Sequence, residues 1–174
     1  MELDLIGYRY TKVEMSVLMS LNSRREIPAL PGVAFPDKEQ FREGMESLEN
    51  GNVITNVNGR LLMEKTHAVL LENLCGCGRF FSVRQGEMCV SLCACRQMGL
   101  LAESVGNGWL LKAAPTEREL TEDFLNALKR FPRGGTVRRA DGGEWRESDC
   151  APEKLISEAE EALAGFGGEG SAFL

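Results

Sequence analysis

Apolar positions recur along this chain with two periods, and the changes of period mark out its elements. Val13, Met15, Val17, Leu18 and Leu21 cover one broad helical face. Thr11-x-x-Glu14 supplies a capping box at the start of that helix, and Asn22-Ser23 ends it. Leu3 to Tyr10, ahead of it, reads as a short strand. Ile27 to Pro36 holds three prolines, Pro28, Pro31 and Pro36. Proline lacks the amide N–H that helices and sheets need, so this stretch reads as an ordered linker. Asp37, with Gln40 three residues on, caps a second helix, whose expected buried stripe is Phe41, Met45 and Leu48. Asn50-Gly51 ends it. Val53 to Met63 reads as a hairpin turning at Asn58-Gly59, the pair that tolerates positive φ. Lys65 to Leu74 is a third helix, with Val69, Leu70 and Leu74 available to a core.

From Arg79 onward the pattern shortens to strand-like runs: Arg79–Gln85, Met88–Arg96, Leu100–Val105 and Trp109–Ala113. The joints between them are short and contain glycine, which predicts an antiparallel meander. Thr116-x-x-Glu119 opens a helix with Leu120, Phe124 and Leu128 inward, and Pro132 ends it. A hairpin follows, Thr136–Ala140 with Glu144–Ser148, turning at Asp141-Gly142-Gly143. Pro152 starts a final acidic helix to about Ala164. Gly165 to Leu174 carries four glycines and reads as a flexible tail. The expected fold class is α+β: an antiparallel β-sheet flanked by helices, with a helix–helix–hairpin portion of winged-helix-like outline at the N-terminus. Residues 1–164 form one compact domain in this reading, with halves 1–74 and 75–164 of loosely similar element order.

The chain has 174 residues, 43% of them hydrophobic and 26% charged. A chain of this size buries roughly 70% of its unfolded surface, enough for a proper core. No apolar run approaches the ~20 residues that span a bilayer, and Met1 to Tyr10 lacks the apolar segment of a secretion signal. The expectation is a cytoplasmic protein whose six cysteines are thiols. The net charge of −6 is concentrated: residues 147–174 hold seven acids and one base, while 1–146 hold 19 of each. A neutral body with an acidic end has no general attraction for nucleic acid or anionic membrane. One basic stretch stands out, Lys129, Arg130, Arg133, Arg138, Arg139 and Arg146. The acidic helix after it is the expected partner.

Two Cys-x-Cys pairs make Cys75, Cys77, Cys93 and Cys95 the candidate zinc ligands, with Cys89 nearby. Zinc sites usually space paired ligands by two to four residues, so that a tight turn aims both at the ion. Cys-x-Cys lacks that turn. On a strand, though, alternate residues share a face, which places Cys89, Ser91, Cys93 and Cys95 together. The competing reading is that these thiols pack as small hydrophobes, since cysteine is among the most buried residues. That reading is preferred, with no metal and no cofactor expected. A cysteine nucleophile needs a base, and His67 is the single histidine. Motifs for phosphate loops, dinucleotide binding, serine hydrolases and zinc proteases are all missing. No catalytic residue is therefore assigned, and a non-enzymatic role is expected. In a winged-helix reading, 37–50 would be the recognition helix. Asp37, Glu39, Glu43, Glu46 and Glu49 oppose only Lys38 and Arg42 there, the wrong sign for phosphate contacts.

Residues 10–74 carry Val13-Glu14-Met15-Ser16-Val17-Leu18, then Leu30-Pro31-Gly32, then Phe41 to Leu48 followed by Glu49-Asn50-Gly51-Asn52-Val53-Ile54. In that order they resemble the opening of the EspG-like proteins, cytosolic chaperones of bacterial (mycobacterial) type VII (ESX) secretion. The resemblance implies a protein that grips the helical-hairpin tip of a secreted partner, without chemistry or cofactor. It carries over no individual binding residue. The expected function is a non-catalytic protein-binding accessory protein, a secretion chaperone for a helical partner. The alternative is a regulatory or small-molecule-sensing module. A protein partner is expected, membrane and nucleic acid are not, and an open meander edge leaves room for a homodimer.

Overall fold

The computed structural model describes residues 6–22 and 26–166. The chain is α+β. Strand β1 (Ile6–Thr11) leads into α1 (Lys12–Leu21), and α2 (Lys38–Asn50) follows the proline linker. A hairpin, β2 (Ile54–Val57) and β3 (Arg60–Met63), precedes α3 (Lys65–Cys75). Then come β4 (Arg79–Gln85), β5 (Met88–Ala94), β6 (Gly99–Val105) and β7 (Gly108–Ala114). Helix α4 (Thr121–Leu128), strands β8 (Gly135–Asp141) and β9 (Arg146–Cys150), and helix α5 (Pro152–Phe166) complete it.

The main sheet has seven antiparallel strands in the order β1-β7-β6-β5-β4-β8-β9. Its centre is the expected meander. Two additions extend it: β1 pairs with β7 (Tyr8↔Leu111), and β8 pairs with β4 (Phe81↔Arg139). The first half of the chain thus contributes an edge strand to the sheet of the second half. The two residues of each β-period feed two separate cores. On β5, Cys89 and Cys93 join Phe80, Leu100, Ala102 and Leu111 against α1, α2 and α3. Val90 and Leu92 join Phe81, Leu101 and Val137 against α4 and α5. The result is three layers, helices on both faces of one sheet.

Local signals place most of these elements. Thr11 and Glu14 form both bonds of the α1 capping box, and Asp37 and Gln40 do the same for α2. The turn of the β2–β3 hairpin uses positive φ at Asn58 (53°) and Gly59 (80°).

Three expectations need correction. First, the buried face of α2 is Gly44 and Leu48, while Phe41 turns outward. A Cβ at Gly44 would lie 2.4 Å from Cγ2 of Val17, so α1 crosses α2 closest at this glycine. That contact sets the rotation of the helix and swings Phe41 to the surface. Second, Thr116 makes no side-chain cap; Glu117–Leu120 is a 3-10 turn, and the α-helix starts only at Thr121. The backbone at 116–117 is pressed onto Gly99, where a Cβ would stand 2.3 Å from the Glu117 nitrogen. Third, Gly165 and Phe166 continue α5, and Phe166 is buried in the second core. The remainder of the expected tail, 167–174, lies outside the described residues, as does the start of the expected first strand.

Candidate functional site

Among the described residues, helix α2 and the hairpin after it carry half of the large apolar side chains that the fold leaves in solvent, and Phe35 lies just ahead of them. The exposed large hydrophobics are Phe35, Phe41, Val57, Leu61, Leu62, Met88, Val105 and Trp145. The first five fall between residues 35 and 62. Phe41 and half-buried Met45 look into an open concavity edged by Lys38, Glu39, Arg42, Glu46 and Glu49. With Asp37 and Glu43 included, this helix and its cap hold five acids and two bases, a net −3.

The hairpin stands apart from the main sheet, paired only with itself (Ile54↔Met63, Val57↔Arg60). A two-stranded ribbon keeps an unpaired backbone edge on each strand. Its base is fixed: Ile54 is buried, the Val53 amide donates to the Leu48 carbonyl, and the Glu64 amide donates to the Val53 carbonyl. The far end is free of that core, with Val57 45%, Leu61 46% and Leu62 54% exposed. The hairpin is thus anchored at its base and carries exposed apolar side chains farther out, following an acidic helix in the chain.

The cysteines occupy the sheet face that packs on α1–α3. Cys75 ends α3 and is buried, and Cys93 on β5 is fully buried. Cys77 lies between α3 and β4, and Cys95 just past β5; both are half-buried against the same core. The Cys77 thiol reaches the Arg79 carbonyl at 3.1 Å and the Ala94 carbonyl at 3.8 Å. Hydrogen bonds first from Cys93 and then from Cys95 hold the Cys77 thiol well below its usual range, and they push Cys93 and Cys95 upward. The structure therefore places Cys77 beside the end of β5, where it and Cys95 are half-buried and Cys93 is sealed in the core. Among the described residues, no group of three or more His, Cys, Asp or Glu side chains is arranged to hold a metal ion. Cys77 and Cys95 also line a cavity of about 640 Å³ at the end of the sheet, with Arg79, Arg96, Met98 and Glu117. Residue spacing alone did not show this cavity, because its walls come from four separate turns and the end of α5.

His67 is committed elsewhere. Its Nδ1 meets the Tyr10 hydroxyl at 2.5 Å, its ring packs edge-on to Tyr8 and Tyr10, and its Nε2 lies 3.9 Å from Glu64. Burial is the largest of several effects that hold the Tyr10 hydroxyl protonated well beyond its ordinary range. This group ties β1 to α3.

The basic stretch also finds partners other than the expected ones. Arg130 pairs with Glu103, and Arg138 with Glu26 and Glu147. Among the described residues, none of its ion pairs reaches α5. Helix α5 is held instead by Leu155, Ala159, Ala162 and Phe166, an apolar stripe at helical spacing. No described helix is long and apolar enough to cross a membrane. Neither a scan against protein-family models nor a search of curated proteins finds a match to the chain.

Proposed function

We propose that this protein is a non-catalytic binding protein, a cytoplasmic secretion chaperone that holds a helical partner on α2 and the β2–β3 hairpin. The observation that carries the reading is the exposure of Phe41, Val57, Leu61 and Leu62 on the successive elements α2, β2 and β3, with Phe35 just ahead of them. Exposed apolar groups gathered in one part of a surface mark interaction sites, whereas scattered ones need no explanation. An amphipathic helix would lay its apolar stripe against Phe41 and Met45 and meet the hairpin through Leu61 or Leu62, which alternate in face. The net −3 of α2 with its cap Asp37 favours lysine or arginine beside that stripe. The resemblance of residues 10–74 to the EspG-like chaperones supports the same class of partner.

The test is affinity capture of the tagged chain from its native host, followed by mass spectrometry. A stoichiometric small helical protein that is released by Leu61→Ser/Leu62→Ser is the expected result. Recovery of the chain alone, or of a partner indifferent to that double change, overturns the reading. The alternative, a small-molecule-sensing module, draws on the 640 Å³ cavity beside Cys77 and Cys95.

A further inference from the structure

We propose that Cys77 and Cys95 form an oxidation site, at which a small hydroperoxide converts two thiols into one disulfide. The inference stands apart from the binding role and does not rest on it. Three placements carry it.

The first is proximity. The Cys77 thiol lies 3.8 Å from the carbonyl of Ala94, the residue joined to Cys95. Cys77 and Cys95 also line one cavity at the end of the sheet, so the two sulfurs open on a common space.

The second is access. Cys93 is sealed in the core at 0% exposure. Cys77 and Cys95 are half-buried and open into the cavity that also holds Arg79, Arg96 and Met98. A molecule of peroxide size fits that space, and it meets these two sulfurs and not Cys93.

The third is freedom to move. Bridging two thiols needs the Cα atoms within roughly 7 Å and a set torsion about the S–S bond, so some local adjustment is required. Cys77 sits after the end of α3 at Cys75 and before the start of β4 at Arg79. Cys95 sits past the last β5–β6 pair, Ala94↔Gly99, in a turn closed by its amide bond to the Met98 carbonyl. Both can shift without breaking a strand pair. The buried Cys75 and Cys89 lie inside α3 and β5.

The steps balance. The Cys77 sulfur attacks the terminal oxygen of the hydroperoxide, the O–O bond breaks, and an alcohol leaves with a proton. Cys77 is now a sulfenic acid. The Cys95 sulfur attacks the Cys77 sulfur, the S–S bond forms, and the sulfenic oxygen departs as water with the remaining protons. Two thiols and one hydroperoxide give one disulfide, one alcohol and one water.

The experiment treats the purified full chain with a small excess of hydrogen peroxide and maps the cysteines by non-reducing peptide mass spectrometry, with metal content measured on the same sample. The expected result is fast loss of two thiols and a linked Cys77–Cys95 peptide that dithiothreitol reverses. Cys77→Ser should remove the fast phase. Cys95→Ser should leave Cys77 trapped as a sulfenic acid that dimedone captures. Slow, uniform oxidation of all six thiols, or a linkage through Cys75, Cys93 or Cys150, overturns the proposal. So does a bound zinc ion that protects Cys77 and Cys95 from peroxide. The peptide map of the unaltered chain decides the matter even where a variant fails to fold.

Discussion

Arg138 on β8 holds Glu26, just ahead of the proline linker, at 2.7 Å, across 112 positions of sequence. The same guanidinium donates to the Pro28 carbonyl, bonds Glu147 on β9 at 3.1 Å, and lies 4.1 Å from the Trp145 ring centroid. One buried side chain therefore closes the linker against the far hairpin. Arg138→Ala should destabilise the chain by about 2 kcal/mol, less than the ~3–5 kcal/mol of a fully buried pair, because Glu26 and Glu147 keep much of their water. Glu26→Ala should cost much less. Chemical denaturation of both variants checks the order.

Gly44 sets two effects against each other. Alanine is favoured over glycine in a helix interior by about 1 kcal/mol. Its Cβ, however, would stand 2.4 Å from Val17, which is fully buried and has nowhere to go. Overpacking a core costs about 1–3 kcal/mol. Gly44→Ala should therefore lower the melting temperature, against its propensity, and Gly44→Val should lower it further.

The hairpin leucines should separate binding from folding. Leu61 and Leu62 are half exposed, so changing both to serine should alter stability by no more than about 0.5 kcal/mol each. Binding of the captured partner should weaken at least about tenfold, equivalent to ~1.4 kcal/mol. Calorimetric titration beside a thermal melt measures the two effects independently.

Helix α5 should ignore salt. The sequence expectation was an acidic helix held by the basic stretch, but its contacts are apolar and the arginines pair elsewhere. At ~1 M salt the screening length falls to about 3 Å, which weakens exposed ion pairs and leaves apolar burial intact. Hydrogen exchange across 153–164 should be unchanged between low and high salt.

Glu64 gives the start of α3 a pH dependence. Its carboxylate accepts from the amides of Thr66 and His67, and the Thr66 amide is the main cause that lowers its pKa below 4.5. A carboxyl with a lowered folded pKa adds stability above its unfolded value and loses it as the pH falls through the folded one. Acidification from pH 5 should thus loosen the start of α3, and Glu64→Gln should remove that part of the acid response. Exchange rates of the 66–68 amides, followed against pH, report it.

Signals that act within a few residues were legible in the sequence. The capping boxes at Thr11 and Asp37, the Asn58-Gly59 turn and the alternation on β5 all reappear, because each depends on dihedral preferences and bonds inside a single turn or strand. The faces of β5 follow from the same local rule. The candidate surface was half visible. Phe41 reads as a core-forming residue, since periodicity says which residues share a face and not whether that face is covered, and the hairpin pattern assigns no burial to Val57, Leu61 or Leu62.

Sequence by itself determined the element order, the α+β class and the pairing of consecutive strands, where short loops leave few alternatives. Only the tertiary structure decided where distant pieces meet: β1 on β7, Arg138 on Glu26, the rotation of α2 about Gly44, and Cys77 and Cys95 on one cavity. The physical reason is range. A cap or a turn is satisfied by its neighbours in the chain, but exposure, ion-pair choice and thiol contact depend on which surfaces pack together. That outcome is settled by the shape of the whole core.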